Sequence, residues 1–166
     1  MIGKKETGTK TVTAEEITQL AVFSLGEERY AIDIYLIKEI IRPLKITSLP
    51  GAPAFIEGVV NLRGDVIPVI DMRKRFEMPP RESGEGRMII VKVENQWVGI
   101  LVDTVSEVIR IPRKDIKPPP KMVGGVGAKY LQGVCKHKDE LVILLNLDQI
   151  LTSEEKIILR ELKSTM

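Results

Sequence analysis

The chain has 166 residues, 25 Lys and Arg against 23 Asp and Glu, a formal net charge of +2, and 43% hydrophobic but only 4% aromatic residues. Near-neutral charge leaves no basic excess for a phosphate backbone, and the scarcity of aromatics leaves little to stack bases on, which argues against a nucleic-acid binder. A single cysteine, Cys135, and a single histidine, His137, can build neither an intrachain disulfide nor a Cys/His zinc set.

In chain order, residues 1–16 are polar and read as a flexible tail without the apolar stretch of a secretory signal. No later run approaches the roughly 18–20 apolar residues that span a bilayer; with a single cysteine and no possible intrachain disulfide, a reduced, cytoplasmic setting is expected. From Ile17 onward, short Val/Ile/Leu runs alternate with Gly, Pro and charged turns, the rhythm of an all-β fold. Strands are predicted at 17–25, 29–33, 38–42, 58–63 and 65–70, then at 87–93, 97–102, 105–111, 131–137 and 140–145. Gly26-Glu27, Gly64-Asp65, Glu94-Asn95 and Asp139 supply turn chemistry between paired runs. Thr152 and Glu155 form a capping box for a final helix that is predicted to reach about Leu162, with Ile158 and Leu162 on one face.

The strongest organisational signal is an internal repeat. Residues 55–72 match 130–147 at a constant offset of 75, which sets Gly58 over Gly133 and Val60 over Cys135. Upstream, Asp33 to Arg42 resembles Asp103 to Arg110, with Glu39 over Glu107 at an offset of 68. Five short strands per half close a small barrel more readily than a flat sandwich. The expected organisation is therefore a first barrel over 17–77, a linker over 78–86, a second barrel over 87–151, and a C-terminal helix and tail over 152–166, with strands exchanged between the halves. The first strand is apolar on both faces, Leu20 and Val22 on one and Ala21, Phe23 and Leu25 on the other, so it is predicted to lie where the barrels meet.

Catalytic motifs are missing. There is no G-x-S-x-G elbow, no GxxxxGK[ST] loop and no H-E-x-x-H. The glycine-rich Gly124–Lys129 piece follows Pro118-Pro119-Pro120 and reads as a flexible connection rather than a phosphate loop. Cys135 and His137, two apart on a strand, share a face about 6–7 Å from each other. A thiolate–imidazole pair would also need an oxyanion site and a base orienter, and Cys135 matches the apolar Val60 of the first repeat, so a buried thiol is the simpler reading. No enzyme, metal or cofactor is expected.

The run Pro53-Ala54-Phe55-Ile56-Glu57-Gly58-Val59-Val60-Asn61-Leu62-Arg63-Gly64, with Ile67-Pro68-Val69-Ile70-Asp71, resembles the signature of CheW-like domains. Val22-Phe23, Tyr30 to Asp33, Ile37 to Ile40, Val98 to Asp103 and Leu141 to Leu147 carry the same resemblance, which covers about residues 17–155. It implies two SH3-like five-stranded barrels in a non-enzymatic adaptor. The free-standing coupling module is expected, rather than the same domain inside the kinase CheA or the coupling–receiver protein CheV. The implied partners are the regulatory domain of the histidine kinase CheA and the cytoplasmic tips of methyl-accepting chemoreceptors, reached at membrane-associated receptor arrays. A non-flagellar chemosensory pathway is an alternative setting, and a small-barrel nucleic-acid module an alternative of another class.

By the same resemblance, a kinase-docking surface falls on Ile37, Ile41, Leu44, Phe55 and Ile56, with Gly58 allowing close backbone approach. A receptor-binding trough is expected in the cleft between barrels, lined by Met88, Ile90, Val98, Val102 and Val105, with Leu62 and Arg63 at its rim. Arg63 is expected to pair with Glu39. Because Lys138 and Glu107 occupy the matching positions of the second repeat, that pairing is open to a functional and an architectural reading.

Overall fold

Two-residue turns with left-handed backbone set the hairpins. Arg63 and Gly64 have φ of 51° and 94°, Glu94 and Asn95 of 52° and 63°, and Lys138 and Asp139 of 54° and 64°. Positive φ at both central positions gives the turn twist that matches antiparallel strands. In the computed structural model, which describes residues 16–119 and 128–165, these turns join strands at bounds within one residue of those predicted. Residues 1–15 of the expected tail and 124–127 of the glycine-rich piece lie outside the described residues.

The strands are β1 (Ile17–Leu25), β2 (Glu28–Asp33), β3 (Ile37–Ile41), β4 (Gly58–Leu62) and β5 (Asp65–Asp71), then β6 (Arg87–Val93), β7 (Gln96–Val102), β8 (Thr104–Pro112), β9 (Leu131–His137) and β10 (Glu140–Leu145). A short helix α1 (Met72–Arg75) follows β5, and helix α2 (Ser153–Thr165) ends the fold. One sheet runs β9-β10-β2-β1-β8 and the other β3-β6-β7-β5-β4. Each sheet therefore draws on both halves of the chain. The first barrel was expected over 17–77 and the second over 87–151, with strands exchanged; one sheet takes β1, β2, β8, β9 and β10 and the other β3 to β7.

The exchange obeys the repeat offsets. Val142 to Leu144 of β10 lie parallel to Arg29 to Ala31 of β2, and Val69 to Asp71 of β5 lie parallel to Gly99 to Leu101 of β7. Closure is repeated too. Thr47 and Val59 exchange backbone hydrogen bonds of 2.8 and 2.9 Å, and Lys117 and Val134 exchange two of 2.8 Å, which ties the segment after β3 to β4 and the segment after β8 to β9. The two sheets are thus SH3-like barrels, as expected.

Closure explains the repeated glycine. A Cβ on Gly58 would sit 2.5 Å from the Thr47 carbonyl oxygen, and one on Gly133 would sit 2.7 Å from Ile116 Cγ2. Both glycines are buried. Gly58 does allow a close backbone approach, but the approaching backbone belongs to this chain and not to a partner.

Apolar side chains fill three layers. Leu20, Val22, Ala31, Cys135 and Val142 fill the first barrel, and Val60, Leu62, Ile67, Met88 and Ile90 the second. Between the sheets, Phe23, Leu25 and Ile32 meet Ile89, Val91, Val98 and Ile100, and Tyr130, Leu147 and Leu159 seal the margin. Strand β1 divides its side chains as predicted, with Leu20 and Val22 inside a barrel and Phe23 and Leu25 at the seam. Phe23, Tyr30, Phe76 and Tyr130 follow one another with ring centroids 5.9, 5.6 and 5.4 Å apart.

Polar clamps lock this seam. At the start of α2, Thr152 N donates to Glu155 Oε1 at 2.9 Å and Glu155 N donates to Thr152 Oγ1 at 3.1 Å, the reciprocal capping box read from sequence. Glu155 also accepts two hydrogen bonds from Arg75 of α1, 3.1 and 2.9 Å long. The apolar face of α2 is Leu159 with Leu162, while Ile158, expected on that face, is 37% exposed. Asp103, between β7 and β8, accepts from Arg73 Nε at 2.8 Å, Arg73 Nη2 at 2.6 Å and Gly26 N at 2.7 Å. Arg73 also donates to the Pro79 carbonyl at 2.6 Å, so one guanidinium joins α1, the linker and the crossing between sheets.

The Arg73 hydrogen bonds, opposed by partial burial and aided by Gly26 N–H, hold the Asp103 carboxyl below the usual carboxylate range. A depressed folded-state pKa stabilises the fold above the unfolded value, and that stability is lost as pH falls through the folded value. Acid unfolding monitored by circular dichroism is therefore expected to include a loss beginning below about pH 4, and Asp103→Asn is expected to remove that dependence while costing about 2–3 kcal/mol at neutral pH.

Candidate functional site

Strand β3 lies at the edge of its sheet, paired with β6 alone among the strands. A register shift between Ile37 and Glu39 bulges it, and Glu39 emerges beside the β4–β5 turn. In that turn Asn61 Oδ1 accepts from Gly64 N at 2.8 Å, which fixes the left-handed Arg63 and projects its side chain outward. Arg63 Nη2 donates to Glu39 Oε2, the pairing expected from sequence.

The first barrel carries the counterpart. Lys138 Nζ lies 3.5 Å from Glu107 Oε1, and His137 Nε2 lies 3.2 Å from Glu107 Oε2. Repetition in both barrels gives the ion pair an architectural basis, because it fastens a hairpin turn to the edge strand in each. Its exposure separates that role from stability: the Arg63 side chain is 66% exposed, and exposed pairs of this kind are worth about 0–1 kcal/mol.

The expected receptor trough is filled. Met88 and Ile90 are 0% exposed inside the second barrel with Leu62, and Val98 and Val102 are enclosed between the sheets. Residues 88–91 of β6 and 98–102 of β7 are buried on both faces and Leu62 of β4 is 5% exposed, so these five side chains are core and a partner cannot reach them in this fold. Val105 is half-buried against the seam. Of that set, Glu39, Arg63 and Val105 reach solvent.

The residues expected to dock the kinase split into groups. Ile41 and Leu44 are half-buried at the second barrel's interior, while Ile37 and Phe55 pack partly against the seam core. Phe55 lies under the Arg75 guanidinium, 5.7 Å from ring centroid to charge. Ile56 belongs to the seam core at 6% exposure, and Gly58 is occupied by barrel closure.

Sequence reasoning passed over Ile40 and Val108, which are 40% and 54% exposed on the edge strands β3 and β8. They are repeat equivalents at the same offset of 68 that relates Glu39 to Glu107, so strand alternation combined with the repeat could have found them. Tyr35, 88% exposed in the 3-10 turn before β3, and Leu141, 55% exposed on β10, were missed as well.

Cys135 is 3% exposed inside the first barrel, and burial pushes its thiol up, away from a thiolate. His137 turns to Glu107. Among the described residues, no group of three or more His, Cys, Asp or Glu is placed to hold a metal ion, and no helix is long and apolar enough to cross a membrane.

The sequence profile of the CheW-like domain family matches residues 19–155. A chemotaxis protein CheW of Treponema pallidum is 38% identical over 146 residues, covering 85% of this chain and 86% of its own. One from Helicobacter pylori is 34% identical over 148 residues, covering 89% of each. The crystal structure of the scaffolding protein TtCheW from Thermoanaerobacter tengcongensis superposes with a TM-score of 0.77 at 38% identity, over 84% of this chain and 97% of that one.

Removing the Arg63 side chain is expected to shift the urea unfolding free energy by less than about 1 kcal/mol. A loss above about 2 kcal/mol would make the pair a structural clamp first of all.

Proposed function

The chain belongs to the CheW-like domain family, and from that membership we propose that it is a non-enzymatic adaptor of chemotaxis signalling that couples chemoreceptor tips to the regulatory domain of the histidine kinase CheA. The observation that carries this reading is a rigid edge strand offering contact chemistry without a reactive centre. Ile40 stands exposed on β3 beside the Glu39–Arg63 pair, with Ile37, Ile41 and Leu44 half-buried around it. Interfaces draw their energy from apolar anchors ringed by polar groups on rigid elements.

On this reading the kinase docks along β3 and the segment after it, through Ile40, Ile41 and Leu44. The receptor engages Glu39, Arg63 and Val105. Signal passes by geometry: a receptor state that changes how adaptor and kinase sit together alters kinase output, provided each contact distinguishes two states. The work is done in the cytoplasm at membrane-associated receptor arrays.

Separate pull-downs of the purified chain with a CheA regulatory domain and with a receptor fragment test the adaptor reading. Both are expected to be retained, and failure of the wild-type chain to retain either overturns it. In a reconstituted mixture, Ile40→Glu is expected to weaken kinase retention by about tenfold or more. Arg63→Ala is expected to lower receptor-dependent kinase stimulation while leaving kinase retention intact. Unchanged stimulation would confine the ion pair to architecture.

A further inference from the structure

Trp97 is the single tryptophan of the chain, half-buried at the end of the second barrel with its side chain against that barrel's interior. Lys38 Nζ lies 5.2 Å from its ring centroid and Lys92 Nζ 5.6 Å. The three residues stand on the adjacent strands β3, β6 and β7, and Lys92 is the direct cross-strand partner of Trp97. Both lysines are exposed, and among the described residues neither ammonium has a carboxylate within 4.0 Å. The acids close to them in sequence are engaged elsewhere. Glu39 holds Arg63, and Glu94 lies 3.5 Å from Lys156 and 3.7 Å from Arg160.

The other barrel shows the satisfied version of the same place. At the offset of 68, Trp97 corresponds to Arg29 and Lys38 to Ser106. Arg29 donates to Ser106 Oγ at 3.1 Å and pairs with Glu140 at 2.7 Å, so that barrel end supplies its own counter-charge. The second barrel end keeps two cations and an aromatic ring; Lys92 shares a cleft with Glu94 and Asp148, but among the described residues no carboxylate closes to within 4.0 Å of either ammonium. Tryptophan is a preferred interface anchor, and cations beside it select for an acidic partner through charge complementarity.

We infer that Lys38, Lys92 and Trp97 form a docking site for an acidic segment of a partner protein, its carboxylates on the two ammoniums and an apolar side chain on the indole. Two lysines neutralise too few phosphates to hold a nucleic acid, and the near-neutral chain offers no wider basic field. Lys38 lies on β3, the strand assigned to kinase docking, but the test needs neither kinase nor receptor, so its failure leaves the coupling proposal standing.

Trp97 emission reports occupancy directly. The probe is a short peptide of glutamate and leucine, with the same peptide carrying lysine for glutamate as control. The acidic peptide is expected to shift emission saturably, more weakly as salt is added, and the basic peptide to leave it unmoved. Lys38→Glu with Lys92→Glu is expected to lower the affinity by roughly tenfold or more. Lys38→Gln with Lys92→Gln, which changes the exposed surface least, is expected to fall between that variant and the wild type. Emission unmoved by the acidic peptide, equal responses to both peptides, or full affinity in the charge-reversed variant overturns the site. So does a shift produced at lower concentration by duplex DNA or phosphatidylserine vesicles.

Discussion

Everything the molecule presents to solvent depends on the apolar layer between its two sheets. Phe23 and Leu25 on β1 and Ile32 on β2 meet Ile89, Val91, Val98 and Ile100 in this layer, and each sheet carries strands from both halves. A fully buried side chain of this size contributes about 1.5–3 kcal/mol, and the layer unites residues far apart in sequence. Neither half of the chain can build it alone. The seam is then reinforced where solvent would enter: Arg73 and Asp103 clamp one side, Arg75 and Glu155 another, and Leu159 of α2 covers part of the margin.

A filled seam moves contact chemistry to the barrel ends and edge strands. Closure by Thr47 with Val59 and by Lys117 with Val134 satisfies the sheet edges near Gly58 and Gly133, but β3 and β8 keep free flanks that carry Ile40 and Val108. The repeat supplies two such places, and sequence divergence has made them unequal. Where the first barrel has Arg29, Ser106 and His137, the second has Trp97, Lys38 and Leu62. One scaffold thereby offers two chemically distinct ends.

Much of this was legible in the sequence. Strand bounds followed from alternation and turn residues, the duplication from the constant offsets, and the two-sided burial of β1 from Leu20 and Val22 against Phe23 and Leu25. The Arg63–Glu39 pair was expected from sequence, and Lys138 with Glu107 at the same repeat positions left its role open between function and architecture. The burial of Met88, Ile90, Val98 and Val102 was misread as a trough. The apolar runs of β6 and β7 are, like that of β1, covered on both faces. Which strands would pair across the repeats could not be told from local pattern, since alternation fixes a strand's faces and not its neighbours. The self-contact at Gly58 was hidden for the same reason: a glycine that permits close approach does not say whose backbone approaches.

Cooperativity between the sheets tests the account most directly. Urea unfolding followed by Trp97 emission reports the sheet that contains β7, and native-state hydrogen exchange of the β10 amides reports the other. A shared seam core predicts that both give one transition with a common free energy and midpoint. Loss of the β10 amides' protection at denaturant concentrations where Trp97 emission is still native would mean that the barrels stand independently, and the role given to the layer between them would fail.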